Sequence, residues 1–128
     1  MQVGLQAYNR GDLEVVELAF HERVEFESPG GVGRLGFEAS YRGREGHRAF
    51  EAEWRSGWAA LRIEPREFID LGEQVLLLAE IVGRGKGSGI SVSQNIATLE
   101  TLGEDGKIVR EQRYFDHSEA LEAVGLLE

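Results

Sequence analysis

The side chains best suited to chemistry lie near the C-terminus, where Glu111, Arg113 and Phe115 alternate along residues 107–115. Residues two apart on a strand share a face and lie about 7 Å apart, so Glu111 and Arg113 can form an ion pair. An ionised group that faces an apolar interior is costly unless it is paired. The pattern therefore predicts a structural ion pair, a contact between subunits or a polar anchor for a ligand.

Two further residues are candidates for acid–base work. His47 lies on the apolar face of a predicted helix, where an imidazole can titrate near neutral pH, although a histidine satisfied in the core or at an interface fits the same pattern. The same face carries aromatic side chains that indicate core packing and are compatible with pocket lining, namely Phe50, Trp54 and Trp58. Asp116 precedes Glu119 by three residues, which is first of all a capping box and only then a candidate acid or base.

Other catalytic systems have no support in the residues. The chain contains no cysteine, which excludes thiol chemistry and cysteine-ligated metals. His21, His47 and His117 are far apart and show no metal-ligand spacing. The glycine-rich run Gly83–Gly89 joins two predicted strands and lacks the spacing of a phosphate-binding loop. We expect neither a metal nor a cofactor.

Length and charge limit the class of protein. The 128 residues suit a single domain over positions 1–128. The formal net charge of −9 argues against nucleic acid as a partner, because phosphate backbones attract basic surfaces. No apolar run approaches the roughly 20 residues of a membrane span, and the N-terminus lacks a signal-peptide pattern. We expect a cytoplasmic protein with no membrane partner.

The order of predicted elements is that of an α+β fold. Helices are predicted over 3–9, 13–21 and 44–61, and a last helix follows the cap at Asp116. Period-two alternation predicts a first strand from Val24 to Ser28, followed by a glycine-rich loop over 30–42. Four further strands form an antiparallel meander, with the helix of 44–61 across the concave face: Leu61–Leu71, Gln74–Lys86, Ile90–Leu102 and Lys107–Phe115. Pro65 marks an edge or a bulge in the first of these four.

Several segments, in this order, resemble the SnoaL-like group of the NTF2-like superfamily. They are Ala7–Asp12, Val24–Pro29, Tyr41–Gly46, Asp105–Val109 and Arg113–Asp116. The resemblance implies a cone-shaped fold in which a curved mixed or antiparallel sheet wraps around a long helix. It also implies an apolar pocket and a homodimer formed through the sheet. The fold hosts isomerases, cyclases, hydrolases and binding proteins, so it does not decide the activity.

Ketosteroid isomerase is the best-understood enzyme of this superfamily, but its catalytic residues have no counterparts in this chain. Its mechanism needs an aspartate base before the proline that follows the first strand, and this position holds Ser28. Its two oxyanion donors, a tyrosine and a protonated aspartate, are replaced by Gly4 and Thr98. The resemblance therefore predicts no steroid isomerase activity.

Candidate catalytic residues are present for two other enzyme classes of the superfamily. SnoaL-type cyclases need little more than one aspartate or histidine in the pocket, which His47 or Asp116 would supply. Limonene-type epoxide hydrolases use two carboxylates bridged by an arginine, and the resemblance places Glu111, Arg113 and Phe115 on the cavity side. The second carboxylate would come from another strand, at Glu80 or Glu100, whose facing the sequence leaves open.

We expect the chain to bind a small apolar or aromatic molecule, with Arg113 meeting an oxygen of that ligand. The predicted lining consists of Phe26, Ser28, Phe50, Trp54, Trp58, Thr98 and Phe115. A non-catalytic module for dimerisation or partner binding is the alternative, in which the candidate polar residues point outward or into a subunit interface.

Overall fold

The computed structural model of the chain describes residues 2–27 and 40–126. Helices in these ranges are α1 (Gln2–Arg10), α2 (Leu13–Glu17), α3 (Gly43–Ser56) and α4 (His117–Ala123). Strands in these ranges are β1 (Phe20–Glu27), β2 (Ser40–Arg42), β3 (Trp58–Asp70), β4 (Gln74–Gly85), β5 (Ser91–Leu102) and β6 (Ile108–Tyr114). None of the helices described is long and apolar enough to cross a membrane.

The six strands form one curved, open sheet in the order β2-β1-β6-β5-β4-β3. The predicted meander is confirmed, because β3, β4, β5 and β6 pair antiparallel in succession. The first strand decides between the mixed and the antiparallel sheet that the sequence left open, since β1 lies parallel to β6. Parallel neighbours need a long crossover, and the chain from α3 to β5 provides it. The sheet is therefore mixed.

The boundaries that differ most from the predicted ones are the ends of α2 and α3 and the starts of β1 and β3. The helix predicted over 44–61 ends at Ser56, because Gly57 caps it and Trp58 already belongs to β3. A Cβ atom at Gly83 would come within 2.6 Å of the Trp58 ring, so only glycine allows this aromatic to lie on β4. The second helix ends at Glu17, and the first strand begins at Phe20.

The loop predicted over 30–42 contains β2 at its end, where Ser40, Tyr41 and Arg42 pair with β1. Its remaining residues, and Ser28, lie outside the described residues. The bulge predicted at Pro65 is confirmed by a register shift between Pro65 and Glu67 on β3, which is the edge strand. Strands β5 and β6 of the predicted meander are joined by a hairpin turn in which Gly106 has a positive φ of 78°.

The two faces of the sheet bury different clusters. On the concave face, α3 packs its buried Phe50 and Trp54 against inward residues of β4 and β5 such as Leu77 and Ile96. On the opposite face, Ala120 of α4 packs with Tyr114 of β6 and with the intervening residues of β4 and β5: Leu76, Leu78, Ala97 and Leu99. Helix α4 therefore covers the apolar part of this second face.

Candidate functional site

A cavity of about 100 Å³ lies between the N-terminal helices, α3 and the concave face of the sheet. Its apolar wall consists of Val16, Ala19, Phe20, Ile63, Leu77 and Ile108. Its polar wall consists of Tyr8, His47, Glu51, Thr98, Glu100, Glu111 and Arg113. Drug-sized ligands usually occupy about 300–1,000 Å³, so this cavity suits a small molecule or one end of a larger one.

Strands β5 and β6 supply four of the polar side chains through simple alternation. Thr98 lies directly opposite Arg113, and Glu100 lies directly opposite Glu111. Successive residues on a strand point to opposite faces, so all four share the concave face. The facing of Glu100, which the sequence left open, is thereby decided in favour of the cavity. Glu80 lies on the other face, where it pairs with Arg66.

Helix α3 supplies His47 and Glu51, which are one turn apart and therefore on one face. Sequence reasoning selected His47 and missed Glu51. The signal for Glu51 was present, because it stands four residues after His47 and one after Phe50. A glutamate inside a helix usually faces solvent, whereas this one is only 1% exposed.

Arg113 bridges the carboxylates of Glu51 and Glu111. Its Nη2 atom donates to Glu51 Oε1 at 3.0 Å and to Glu111 Oε1 at 3.5 Å. The predicted pair with Glu111 is confirmed, and Glu51 is the nearer partner. His47 Nε2 lies 3.7 Å from Glu111 Oε1 and 3.8 Å from Glu51 Oε1. When His47 is protonated, this cluster of four buried side chains has two positive and two negative charges.

Arg113 keeps its charge despite deep burial. Burial alone lowers the pKa of Arg113, but the charges of Glu51 and Glu111 outweigh burial and raise it. The guanidinium also lies near the rings of Phe26 and Phe50, at 5.4 and 5.7 Å from their centroids. An arginine presents several donors in a fixed plane, so it holds two carboxylates in a defined geometry.

His47 and Glu111 shift each other toward the charged forms. Burial lowers the pKa of His47, but hydrogen bonding and charge from Glu111, with the charge of Glu51, raise it overall above 6.5. Burial raises the pKa of Glu111, but His47 and Arg113 lower it overall below 4.5. Glu111 is therefore ionised at neutral pH.

Glu100 behaves in the opposite way to its cross-strand neighbour. Burial, and next the charge of Glu111, raise the pKa of Glu100 to about 8. Its carboxyl group is therefore protonated at pH 7, and it lines the same cavity as the ionised Glu111. A neutral carboxyl can donate a hydrogen bond or a proton, which an ionised one cannot. Two carboxyl groups with opposed pKa shifts are the usual basis of an acid–base pair.

Tyr8 brings a second neutral donor to the cavity from α1. Burial, and next the charge of Glu51, raise the pKa of Tyr8, so the phenol keeps its proton. The guanidinium of Arg55 lies over the Tyr8 ring, 4.7 Å from its centroid. Among residues 2–27 and 40–126, neither Tyr8 Oη nor Glu51 Oε2 has a partner in full hydrogen-bond geometry, but the two side chains are near enough to each other for a hydrogen bond between them to help raise the Tyr8 pKa. Sequence reasoning did not select Tyr8 as a site residue, although Tyr8 lies in the segment Ala7–Asp12 that carries the family resemblance.

The cluster also has the composition of a weak metal site. Ligand atoms of His47, Glu51 and Glu111 lie within 4.8 Å of one another. Arg113, however, already contacts the two carboxylate oxygens that face His47, and its fixed positive charge would repel a cation. The geometry supports an ion-pair cluster better than a metal centre, and the absence of a resident metal stays a prediction.

The structure separates the predicted lining residues into two groups. Thr98 lines the cavity. The predicted aromatic residues instead form a packed layer beside it, with ring centroids 4.5 Å apart for Phe26 and Phe50 and 6.0 Å apart for Trp54 and each of Trp58 and Phe115. The expectation that these five aromatics line the pocket is corrected, because they fill the space between α3 and the sheet with each other.

Asp116 lies outside the cavity lining and is exposed at the start of α4. Its side chain accepts a hydrogen bond from the backbone N–H of Ser118 at 2.7 Å, which confirms the predicted helix cap. The next residue, His117, places Nε2 2.8 Å from Ala79 O and 3.0 Å from Ile96 O, and so fixes α4 to the sheet. Asp116 is therefore removed from the candidate acids and bases.

The sequence profile of the SnoaL-like domain family matches residues 4–111 of this chain. The chain belongs to the SnoaL-like family. Among curated proteins, none matches this SnoaL-like domain. The match covers α1 to the middle of β6 and includes every cavity-lining residue except Arg113.

Solved structures share the fold of this SnoaL-like domain at low identity. An NTF2-like protein of unknown function from Burkholderia pseudomallei is 24% identical, with a TM-score of 0.79 over 95% of this chain and 92% of the other. TerC, co-crystallised with polyporic acid, is 24% identical, with a TM-score of 0.78 over 93% and 90%. A protein of ketosteroid isomerase-like fold from Catenulispora acidiphila, in complex with trimethylamine, is 19% identical, with a TM-score of 0.74 over 95% and 88%.

Proposed function

We propose that this SnoaL-like domain binds a small, neutral, mainly apolar molecule and performs acid–base chemistry on it. The observation that carries the proposal is that Glu100 and Glu111 lie directly opposite each other on β5 and β6 and line one cavity, where their opposed pKa shifts favour one protonated and one ionised carboxyl group. The apolar wall favours a ligand with a hydrocarbon skeleton, and the polar wall hydrogen-bonds an oxygen atom of that ligand. Small molecules bound to TerC and to the Catenulispora protein support a ligand-binding role for this fold.

Each polar group has a distinct role in this proposal. Glu100 donates its proton to a carbonyl, enol or epoxide oxygen of the substrate. Glu51 is the base, because it is a carboxylate that lines the cavity and is held in place by Arg113. Arg113, Glu111 and His47 hold the arrangement by balancing its charge, so that a neutral substrate enters without adding a buried charge.

Among acid–base reactions, the two carboxylates bridged by an arginine favour epoxide hydration. Glu51 and Glu111 are two carboxylates bridged by Arg113, as in the limonene-type enzymes that the resemblance brought forward. The second carboxylate comes from α3, whereas the sequence placed it on a strand. In this candidate reaction Glu51 takes a proton from water, the water oxygen bonds to a ring carbon, the C–O bond breaks, and Glu100 protonates the ring oxygen.

The proposal is tested by the pH dependence of ligand binding. Neutral ether- or carbonyl-bearing fragments are screened by thermal shift, and each hit is titrated from pH 6 to 10. Affinity should fall as the pH rises through about 8, because Glu100 loses its donor proton. Glu100→Gln keeps a donor that does not titrate, so its affinity should stay constant. Pocket ligands whose affinity in wild type is independent of pH would contradict the role of Glu100.

A homodimer and a cytoplasmic location remain proposals. The family resemblance supports the dimer, but the apolar part of the outer sheet face is covered by α4. The adjoining part of that face carries the charged residues Glu64, Arg66 and Glu80. Light scattering at micromolar concentration tests the dimer, and a monomer mass would contradict it. A non-catalytic binding module is supported instead if ligands bind without any dependence on Glu100.

A further inference from the structure

The exposure of the lining residues locates the mouth of the cavity. Within residues 2–27 and 40–126, every residue that lines the cavity is buried except Ala19, which is exposed. Ala19 lies in the turn between α2 and β1, and its carbonyl oxygen accepts a hydrogen bond from the backbone N–H of Ile108 at 2.8 Å. The cavity therefore opens to solvent at Ala19, where the rim is fixed to β6.

An apolar side chain lies beside this mouth. Leu18 precedes Ala19 in the same turn and is 69% exposed. Its other neighbour, Glu17, is ion-paired with Arg48 through both carboxylate oxygens, so the charge nearest Leu18 in the chain is already compensated. An exposed leucine is ordinary by itself. This one stands in the chain between two residues of the cavity wall, Val16 and Ala19.

The cavity is too small to enclose most ligands completely. A water molecule takes about 30 Å³ of the liquid, so a cavity of about 100 Å³ has room for roughly three groups of that size. An epoxide ring, or a carbonyl group with its terminal methyl group, fills this space and brings its oxygen to the buried polar wall. Any further carbon atoms of the ligand have to leave through the mouth, beside Leu18.

We propose that the ligand is an elongated molecule, with a terminal epoxide or methyl ketone group in the cavity and an unbranched apolar chain that leaves at Ala19 and lies against Leu18. This inference rests on the proposed function and deepens it, since it assigns the substrate class of the same site. Ligands with a bulky ring system next to the oxygen are excluded, because the enclosed space of about 100 Å³ does not hold one.

The test measures how affinity depends on chain length. Butan-2-one, hexan-2-one and octan-2-one share the methyl ketone end and differ only in their chains. Binding is followed by NMR on the methyl groups of Ile108, which lines the cavity, and of Leu18 outside it. All three ketones should shift the signals of Ile108, and the longer ones should also shift those of Leu18.

The expected gain in affinity follows from the area that the chain buries. Complete burial of a methylene group strengthens binding about fourfold, and a chain on the surface is buried on one side, which gives about twofold per methylene. Octan-2-one should therefore bind roughly 16-fold more tightly than butan-2-one. Leu18→Ser should reduce this gain to about fourfold, because serine offers the chain little apolar surface.

Ile90→Ser is the matched control. Ile90 is 65% exposed in the connection between β4 and β5, and it is not among the residues that line the cavity. This variant should leave the gain with chain length unchanged. Ala19→Leu narrows the mouth with a side chain that solvent can accommodate, and it should weaken octan-2-one more than butan-2-one.

Two results would overturn the proposal. One is a gain with chain length that is the same in Leu18→Ser as in Ile90→Ser, because the chain would then follow no path along Leu18. The other is an affinity that falls with chain length, because the mouth would then be closed to the chain. In both cases the proposed function stands if butan-2-one still binds with the pH dependence assigned to Glu100. Failure of every ketone to shift the Ile108 signals would overturn the small-molecule pocket itself.

Discussion

Replacing Glu100 by glutamine should make the protein more stable at high pH and not at low pH. Glutamine has the shape of a protonated glutamate but cannot ionise. The pKa of Glu100 is raised in the folded state to about 8, from about 4.5 in the unfolded chain. A group with a raised folded pKa contributes its full stability below the unfolded pKa and loses it as the pH rises toward the folded pKa. Wild type therefore loses stability between pH 4.5 and 8. The Glu100→Gln variant does not, because its side chain at this position cannot ionise.

The size of the effect follows from the same shift. Each pH unit inside this window costs about 1.4 kcal/mol of unfolding free energy. At pH 7 wild type has lost roughly 3 kcal/mol of its unfolding free energy through Glu100, and above pH 8 this loss levels off at roughly 5 kcal/mol. A domain of this size has a total stability of about 5–15 kcal/mol, so the difference is well within measurement.

The assay is urea unfolding of both proteins at whole pH units from 4 to 9, followed by tryptophan fluorescence. The difference between their unfolding free energies isolates Glu100, because His47 and Glu111 titrate in both proteins. Glu80→Gln is the control, since Glu80 lies on the outer face and pairs with Arg66. The free energy of unfolding of Glu100→Gln, relative to that of wild type, should rise steadily from pH 5 to 8. A difference that is constant with pH, or that favours wild type at pH 8, would refute a protonated Glu100.

Further predictions follow from the buried ion-pair cluster and from the residues that replace the catalytic groups of the isomerase. Arg113→Met should lower the unfolding free energy by about 3–5 kcal/mol in chemical denaturation, because it leaves the buried carboxylates of Glu51 and Glu111 without their cation. Glu111→Ala should cost less than Arg113→Met, since Glu51 still pairs with the arginine; equal losses would contradict the bridge. Zinc or manganese at millimolar concentration should not raise the melting temperature, and a rise of several degrees would contradict the ion-pair interpretation. No isomerisation of a steroid enone should be measurable, because Gly4 and Thr98 replace the required donors.

The sheet was predictable because its signals are local. Alternation, the glycine hairpins and Pro65 gave the meander and its bulge from residues next to one another in the chain. The end of α3 was not predictable from spacing, because Trp58 continues the helical stripe of Trp54 although Gly57 stands between them. The parallel pair of β1 and β6 joins residues more than 80 positions apart, and no local pattern encodes it.

The site was only partly predictable for the same reason. Alternation along β6 was enough to find Glu111 and Arg113. Glu51 is stable in the interior only because Arg113, 62 positions away, contacts it, and sequence spacing contains no sign of that contact. Helical spacing placed Phe50 and Trp54 on the inner face, but it could not tell a packed aromatic layer from a cavity wall, which depends on how the rings meet.

The central claim is that one cavity holds a protonated Glu100 beside an ionised Glu111 at neutral pH. The most direct measurement is an NMR titration of the carboxyl carbons of glutamate-labelled protein, with Glu100→Gln and Glu111→Gln to assign the two signals. Glu100 should titrate near pH 8, and Glu111 should titrate below 4.5. Titration of Glu100 at or below 4.5, or of Glu111 above Glu100, would contradict the account.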